Sequence, residues 1–388
     1  MSKAEYKRLG DYIREVNVRN LDLKVTNLLG VSISKEFMPS IANTIGTDMS
    51  TYKIVERGQL AYGPVTSRNG DKVSIALLDG YDGAIISQAY TVFEVIDHEQ
   101  LLPEYLMMWF RRPEFDRYAR FHSHGSAREI FDWDELCDVM LPIPSITRQR
   151  EIVSEYETLT NRICLNNQMI QHLEATAQAL YRKTFVDHID KENLPEGWNF
   201  STLGEVFDIT IGRTPPRAEE KWFCRETDKE NNFPWVSIAD MNNGMYVLDT
   251  RERLTKEAVD WFKIPIVPPQ SVLLSFKMTV GRVCITTETT LSNEAIAHFV
   301  FKDNTQIREY LYMFLKNIDY KTIGSTSSIT EAINTNMIKT MLIIMPSDDV
   351  TQKFHEQLLP VFSAIYLKQK ENEKLTELQS LLLARMGR

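Results

Sequence analysis

The stretch FHSHGS places His122 and His124 two residues apart, and imidazole nitrogens are common metal ligands. No carboxylate or cysteine stands at a convincing spacing from them, so an exposed polar loop is expected there and no metal. Ser126 and Ser325 carry hydroxyls, but no motif around either would activate a nucleophile. Cys137, Cys164, Cys224 and Cys284 lie far apart with no C-x-x-C pair, which fits reduced thiols in a cytoplasm better than a disulfide frame or a zinc site. The same region, RYARFHSHGSAR, gathers Arg117, Arg120 and Arg128 with the two histidines and several aromatic rings. It is the best local basic patch in the chain.

Other catalytic signatures are missing. There is no G-x-x-x-x-G-K-[ST], no G-x-G-x-x-G after a strand and no H-E-x-x-H. The N/D-P-P-F/Y tetrad with which amino-methyltransferases grip a target amine is absent too. Thr214-Pro215-Pro216-Arg217 and Val267-Pro268-Pro269-Gln270 are the nearest fragments, and neither fits. The chain reads as non-catalytic. Its 43% hydrophobic and 25% charged residues are those of a soluble globular protein, and 388 residues allow two ordinary domains. No apolar run is long enough for a membrane span, and the charged start MSKAEYKRLG is no secretory signal, so a cytoplasmic location is expected. The net charge of −9 argues mildly against nucleic acid, so any such contact must come from local patches.

The elements that position these residues occur twice. Leu9-Gly10-Asp11 returns as Leu203-Gly204-Glu205, and Glu104-Tyr105-Leu106 returns as Glu309-Tyr310-Leu311. Gly125-Ser126 returns as Gly324-Ser325, and MLPIP (140–144) returns as LIIMP (342–346). The landmarks keep their order while their offsets drift by several residues, as loop insertions would cause.

Each copy closes in a long helix of apolar 4-3 spacing. The first seam is Ile152, Tyr156, Leu159, Ile163, Asn166, Ile170, Leu173, Ala177 and Leu180. The second is Phe354, Leu358, Val361, Ile365, Lys368, Asn372, Leu375, Gln379 and Leu382, each offset by 202 from its counterpart. Such a stripe requires a partner helix, and two helices of ~36 residues (~54 Å) in one chain can pair with each other. The polar seam positions read either as a register device or partner site, or as a solvated stretch. Pro360 should kink the second helix or shift its start.

Ahead of the helices, YKIVERGQLAYGPV, KVSIALL, SVLLSF, RVCITT and AIAHFVF read as strands, while 104–121 and 308–323 read as helical. The expected fold is α+β: two similar mixed α/β globules joined by two long antiparallel coiled-coil helices, as a pseudo-twofold tandem repeat. The parts are 1–146, a globule; 147–193, a long helix and linker; 194–346, a globule; and 347–388, a long helix.

This layout resembles the DNA specificity subunit of type I restriction–modification systems. LPEGWNFSTLGEVFDITIGRTPPR (194–217) looks like the start of a target recognition domain, and FPWVSIADM (233–241) like its aromatic strand and loop. PPQSVLLSFKMTVGRVCIT (268–286) looks like its hairpin, with Gln270-Ser271 where Gly-Asp is more usual. GSAREI (125–130) and GSTSSIT (324–330) resemble its closing segment; each runs on to a proline-ended apolar run and a helix with Gln149 or Gln352 near its start. The likeness covers nearly the whole chain. It implies a non-catalytic subunit in which each domain reads one half of a bipartite, asymmetric double-stranded DNA target. The helices would set the spacing and dock two modification (methyltransferase) subunits; restriction subunits would join, and S-adenosylmethionine, ATP and Mg would sit on those partners. The alternative is a coiled-coil adaptor with two protein-binding globules, which the acidic balance favours slightly.

Under the DNA reading, the contacts fall on loops. TSRNGDK (66–72) offers Arg68, Asn69 and Lys72; Arg and Asn suit base edges, and Lys suits phosphate. The 117–128 patch offers Arg117, Arg120, His122, His124, Ser126 and Arg128. Arg111 and Arg112 could instead pair with Glu114 and Asp116. In the second globule the candidates are Arg213, Thr214 and Arg217, then Lys277 and Arg282 beside the hairpin, and Lys321, Ser325 and Ser327 in the closing loop.

Overall fold

The structure is a computed structural model that describes residues 5–40, 46–67, 69–125, 128–224, 231–301, 305–320 and 334–387. Contacts divide the chain into two units. One comprises residues 1–163 with 374–388, and the other residues 164–373.

In the first unit, the β-branched and aromatic runs form a four-stranded antiparallel sheet in the order Ile13–Val16, Thr91–Val95, Leu60–Tyr62, Ile75–Leu77. Smaller pairs, Leu29–Val31 with Phe37–Pro39 and Lys53–Glu56 with Gly83–Ile86, stand beside it. The helix Pro103–Phe110 follows, and a proline at the first position of the next helix, Pro113–Phe121, separates the two. Tyr62, Phe93, Tyr105, Phe110 and Phe131 are fully buried in one core with Leu9 and Leu106.

The second unit repeats this order. Asp208–Ile211, Ile296–Val300, Val272–Ser275 and Val283–Thr286 lie side by side, with the added parallel strand Tyr246–Val247. Another sheet orders Phe223–Cys224, Glu252–Thr255, Asn232–Val236 and Leu291–Ser292. The helix Arg308–Asn317 corresponds to Pro103–Phe110 and ends six residues earlier than the helical reading of 308–323. Residues 321–323 lie outside the described ones.

The repeat is visible in matching bonds. Tyr6–Arg8 pairs antiparallel with Met140–Pro142, and Asn199–Thr202 pairs antiparallel with Leu342–Met345. Leu9 N donates to Val139 O at 2.8 Å, and Leu203 N to Met341 O at 3.0 Å. Tyr105 donates its hydroxyl to Pro142 O at 3.0 Å, and Tyr310 donates its own to Ile344 O. The short helices Trp133–Cys137 and Thr335–Lys339 each open on a capping side chain, Asp132 accepting from Glu135 N and Asn334 from Met337 N. Gly10 sits where a Cβ would lie 2.8 Å from Cys137 Cβ, and Gly204 where one would lie 3.0 Å from Lys339 Cβ. Both landmark glycines therefore serve close approach to the same short helix.

The long helices span Ile146–Phe185 and Asp348–Arg385. The second starts at Asp348, so its start is not shifted, and it continues through Pro360, which is exposed. In the first unit Gln379 Nε2 donates to Thr160 Oγ1 at 2.7 Å, and Leu383 and Met386 join the core with Val153. In the second unit Asn166 meets Asn372, while Tyr181 and Phe185 meet Phe354, so these two helix segments run antiparallel. The seam residues Ile170, Leu173, Leu180 and Val361 are half-buried, while Phe354, Leu358 and Ile365 are fully buried. The spacing omits a second stripe, however. Phe362 and Gln369 are buried against the globule, and Gln369 bonds Tyr246 N at 3.1 Å and Asn243 O at 2.9 Å.

The match of Gln149 with Gln352 is one residue out of register. Gln149 is buried and satisfied by Leu102 N, Gln100 O and Pro144 O, whereas Gln352 is exposed beside Glu356. The residue standing at the 202 offset from Gln149 is buried Thr351.

Candidate nucleic-acid interface

In the first unit two candidate segments meet. Thr66 N donates to Glu129 O at 3.0 Å, Thr66 Oγ1 to Ser123 Oγ at 2.9 Å, and Phe131 N to Pro64 O at 2.8 Å. Paired bonds between His124 and Ile130 close the second segment into a turn. Arg68 and Ser126 lie outside the described residues. Asn69 turns its amide inward to Val65 O at 3.3 Å.

Much of the 117–128 patch is neutralised locally. Arg117 faces Glu114 at 3.4 Å, and Arg120 pairs with Glu129. His122 Nδ1 lies 2.8 Å from one Glu135 oxygen and His124 Nε2 3.5 Å from the other. No carboxylate stands at a convincing spacing from these histidines in the sequence, but the short helix Trp133–Cys137 supplies Glu135. Among the described residues no group of three His, Cys, Asp or Glu could hold a metal. Tyr118 stacks on His122 with centroids 4.2 Å apart, and Arg128 is exposed.

Beside these segments is a cleft of about 780 Å³, lined by Lys35, Asp71, Lys72, Arg111, Asp116, Arg117, Arg120 and Phe121 and by Tyr156, Thr376, Gln379, Ser380 and Leu383 of the helices. Asp116 is already bound to Lys35 at 2.8 Å and to Val73 N at 3.1 Å. Burial holds the Lys35 amine below its ordinary value, the Asp116 bond opposes this, and the charges of Arg111 and Lys72 push it further down. Lys72 and Arg111 have no ion-pair partner among the described residues. Of the expected pairings of Arg111 and Arg112 with Glu114 and Asp116, Arg112 faces Glu114 at 3.5 Å, but it does so from a buried position over the Trp109 ring at 4.1 Å. Lys35 and Arg111 are cleft cations with no local sequence signal, because only the fold brings them to Lys72.

In the second unit the segment Ser292–Ile296 ties two candidate loops together. Gly212 lies against the Ser292 and Asn293 carbonyls with no room for a Cβ, and Arg213 N donates to Ser292 O at 2.9 Å. Phe276 N donates to Ala295 O at 2.9 Å on the hairpin side. Thr214 donates to Glu294. Arg217 is structural: it lies over Phe223 and Trp235, 4.4 and 4.8 Å from their centroids, and bonds Glu252 at 2.8 Å. Arg213 and Arg282 have neutral anchors, Phe262 O at 2.9 Å and Ile238 O at 2.6 Å, so their charge remains available. Lys277 is exposed, 5.4 Å from the Phe276 centroid. Lys321, Ser325 and Ser327 lie outside the described residues.

Beneath Arg213 sits a Ser–His pair. Ser292 Oγ is 2.5 Å from His298 Nε2, and Thr210 Oγ1 is 3.1 Å from Nδ1. Both Ser292 and His298 are fully buried, and burial lowers the imidazole to about 4. A buried neutral imidazole between two hydroxyls, beyond reach of any substrate, braces the loop rather than activating the serine.

Among the described residues no helix is long and apolar enough to cross a membrane. Residues 195–377 match the family model described as Type I restriction modification DNA specificity domain. The type I restriction enzyme HindI specificity subunit of Haemophilus influenzae is 22% identical over 465 aligned positions, covering 100% of this chain and 99% of that one. The MjaIX specificity subunit of Methanocaldococcus jannaschii is 22% identical over 313, covering 75% and 70%. The crystal structure of the type I restriction–modification S subunit from M. genitalium has the same fold at a TM-score of 0.59 and 12% identity, over 100% of this chain and 97% of that one. Residues 195–377 are therefore similar to the type I restriction modification DNA specificity domain, and the chain along its full length is similar to a specificity subunit of a type I restriction enzyme.

Proposed function

We propose that this chain is the sequence-specific DNA-binding subunit of a type I restriction–modification complex. The recognition modules are residues 1–146 and 194–346, and each reads one half of a bipartite, asymmetric target. The long helices, 147–193 with its linker and 347–388, pair as an antiparallel coiled coil, set the distance between the halves and dock two modification subunits. The chain has no catalysis of its own. S-adenosylmethionine, ATP and Mg belong to the partner subunits.

The observation that carries this reading is the duplicated module. Two globules share one strand order and the same closing bonds from Tyr105 and Tyr310, yet they present different loops. Two non-identical readers on one scaffold fit a split target with unequal halves at a fixed spacing. The cleft cations Lys72 and Arg111, with Arg213, Lys277 and Arg282 in the second unit, supply phosphate contacts despite the net charge of −9.

The test is a methylome. The chain is expressed with its methyltransferase subunits in a host lacking adenine methylation, and modified bases are mapped. A new motif of two short halves around a fixed gap is expected, and exchanging residues 194–346 for those of a relative should change one half only. An active methyltransferase with no new motif would leave the adaptor reading instead.

A further inference from the structure

The hairpin joining Val272–Ser275 to Val283–Thr286 ends in a tip that pushes an apolar side chain into solvent. Met278 is 93% exposed, and its backbone stands at φ 61, a left-handed conformation that residues with a Cβ rarely adopt. Water alone favours neither feature.

The tip is rigidly built. Buried Ser275 donates Oγ to Thr279 O at 2.5 Å and accepts from Arg282 N at 3.0 Å. Gly281 N donates to Ser275 O at 2.9 Å. At φ 90, Gly281 lies so close to the Tyr320 ring that a Cβ would come within 2.8 Å of it. Arg282 is anchored on Ile238 O at 2.6 Å. These bonds fix both ends of the loop and leave Lys277, Met278 and Thr279 outside. The tip sequence FKMTVGR (276–282) has two cations and no acid, within a chain of net charge −9. Neither cation meets a carboxylate among the described residues.

We propose that Met278 is a wedge that enters a groove of the target duplex between two base pairs, with Lys277 and Arg282 on the flanking phosphates; this rests on the DNA-reading function proposed above. An apolar side chain driven between base steps unstacks them and kinks the helix, and neighbouring cations hold the bent strands. Pyrimidine–purine steps unstack most easily. The wedge therefore selects such a step, in or beside the half-site read by residues 194–346, without hydrogen-bonding to either base. The left-handed backbone has a reason under this reading: it holds the thioether outward before DNA arrives.

Met278→Gly tests the wedge without unfolding the loop, because glycine accepts this φ freely. The assay uses the full chain with its methyltransferase subunits on duplexes carrying the mapped motif, with 2-aminopurine at successive positions of that half-site. The wild-type complex should raise fluorescence at one step. Met278→Gly should abolish the rise, weaken binding by roughly tenfold and loosen that position in the methylome, with the other half unchanged and no drop in thermal midpoint. Equal fluorescence and affinity in the variant, or no unstacked step in the wild type, would sink the wedge while the DNA-reading function stands. If the wild type gives no split motif at all, that function fails and the wedge with it.

Discussion

Asn166 Nδ2 donates to Asn372 Oδ1 at 2.9 Å, and Asn372 Nδ2 donates in turn to Asn167 Oδ1 at 2.8 Å, forming a polar layer between the two helix segments. Amides that satisfy each other only in one alignment make neighbouring registers costly. Asn166→Ala should lower stability by about 1 kcal/mol, because a partly buried amide loses its partner. The double variant Asn166→Leu with Asn372→Leu should recover that loss or exceed the wild type, while relaxing the spacing. Denaturant titration reads the first effect, and the gap length in the methylome reads the second. A double variant less stable than Asn166→Ala would contradict the register role.

Gly10 and Gly204 make equivalent close contacts in the two units, on Cys137 and Lys339. Gly10→Ala and Gly204→Ala should each destabilise by about 1–3 kcal/mol through overpacking. The Gly10 change should cost at least as much, since its neighbour is a buried Cys137 Cβ rather than the stem of a lysine. Thermal unfolding of the two variants compares them directly.

The cleft cations make a salt prediction. Lys72→Ala and Arg111→Ala should each weaken DNA binding and reduce the slope of log affinity against log salt by about 1, without changing which bases are preferred. Arg217→Ala should behave otherwise: its guanidinium is bound to Glu252 and packed on Phe223 and Trp235, so the change should cost stability and leave the salt slope nearly intact. Filter binding across a salt series distinguishes the two behaviours.

His298 makes a pH prediction. Burial holds its pKa near 4 in the folded chain, below the ordinary 6.5. Between those values the unfolded chain binds more protons, so stability is present above about pH 6.5 and is lost as pH falls towards 4, by at most about 3 kcal/mol. His298→Asn should flatten that part of the pH–stability curve. An unchanged curve would mean that the imidazole is not the group responsible.

Local chemistry made much of this protein legible in advance. The strands around Val272 and Val283, the helix seam from Ile152 to Leu180 and the repeated Leu-Gly and Glu-Tyr-Leu landmarks all follow from periodicity and from residue types that suit one backbone state. These signals lie within a few residues of one another, so the chain by itself determines them. The family's usual Gly-Asp opening was a local signal as well: Gln270 stands there at φ 65, the left-handed conformation glycine favours, and its side chain bonds Arg308.

Which charges are spent and which remain was decided only by the tertiary structure. Arg117 and Arg120 looked like the natural DNA contacts, yet Glu114 and Glu129 lie against them. His122 and His124 converge on Glu135, and Arg217 is held by its own pairing with Glu252. Lys35, silent in the sequence, is the cation that neutralises Asp116 and leaves Lys72 and Arg111 to face the cleft. The electrostatics of a pair depend on a few ångströms of separation, and sequence distance does not encode them. The sequence therefore sets which charges exist, and the fold sets which of them are free to meet a phosphate.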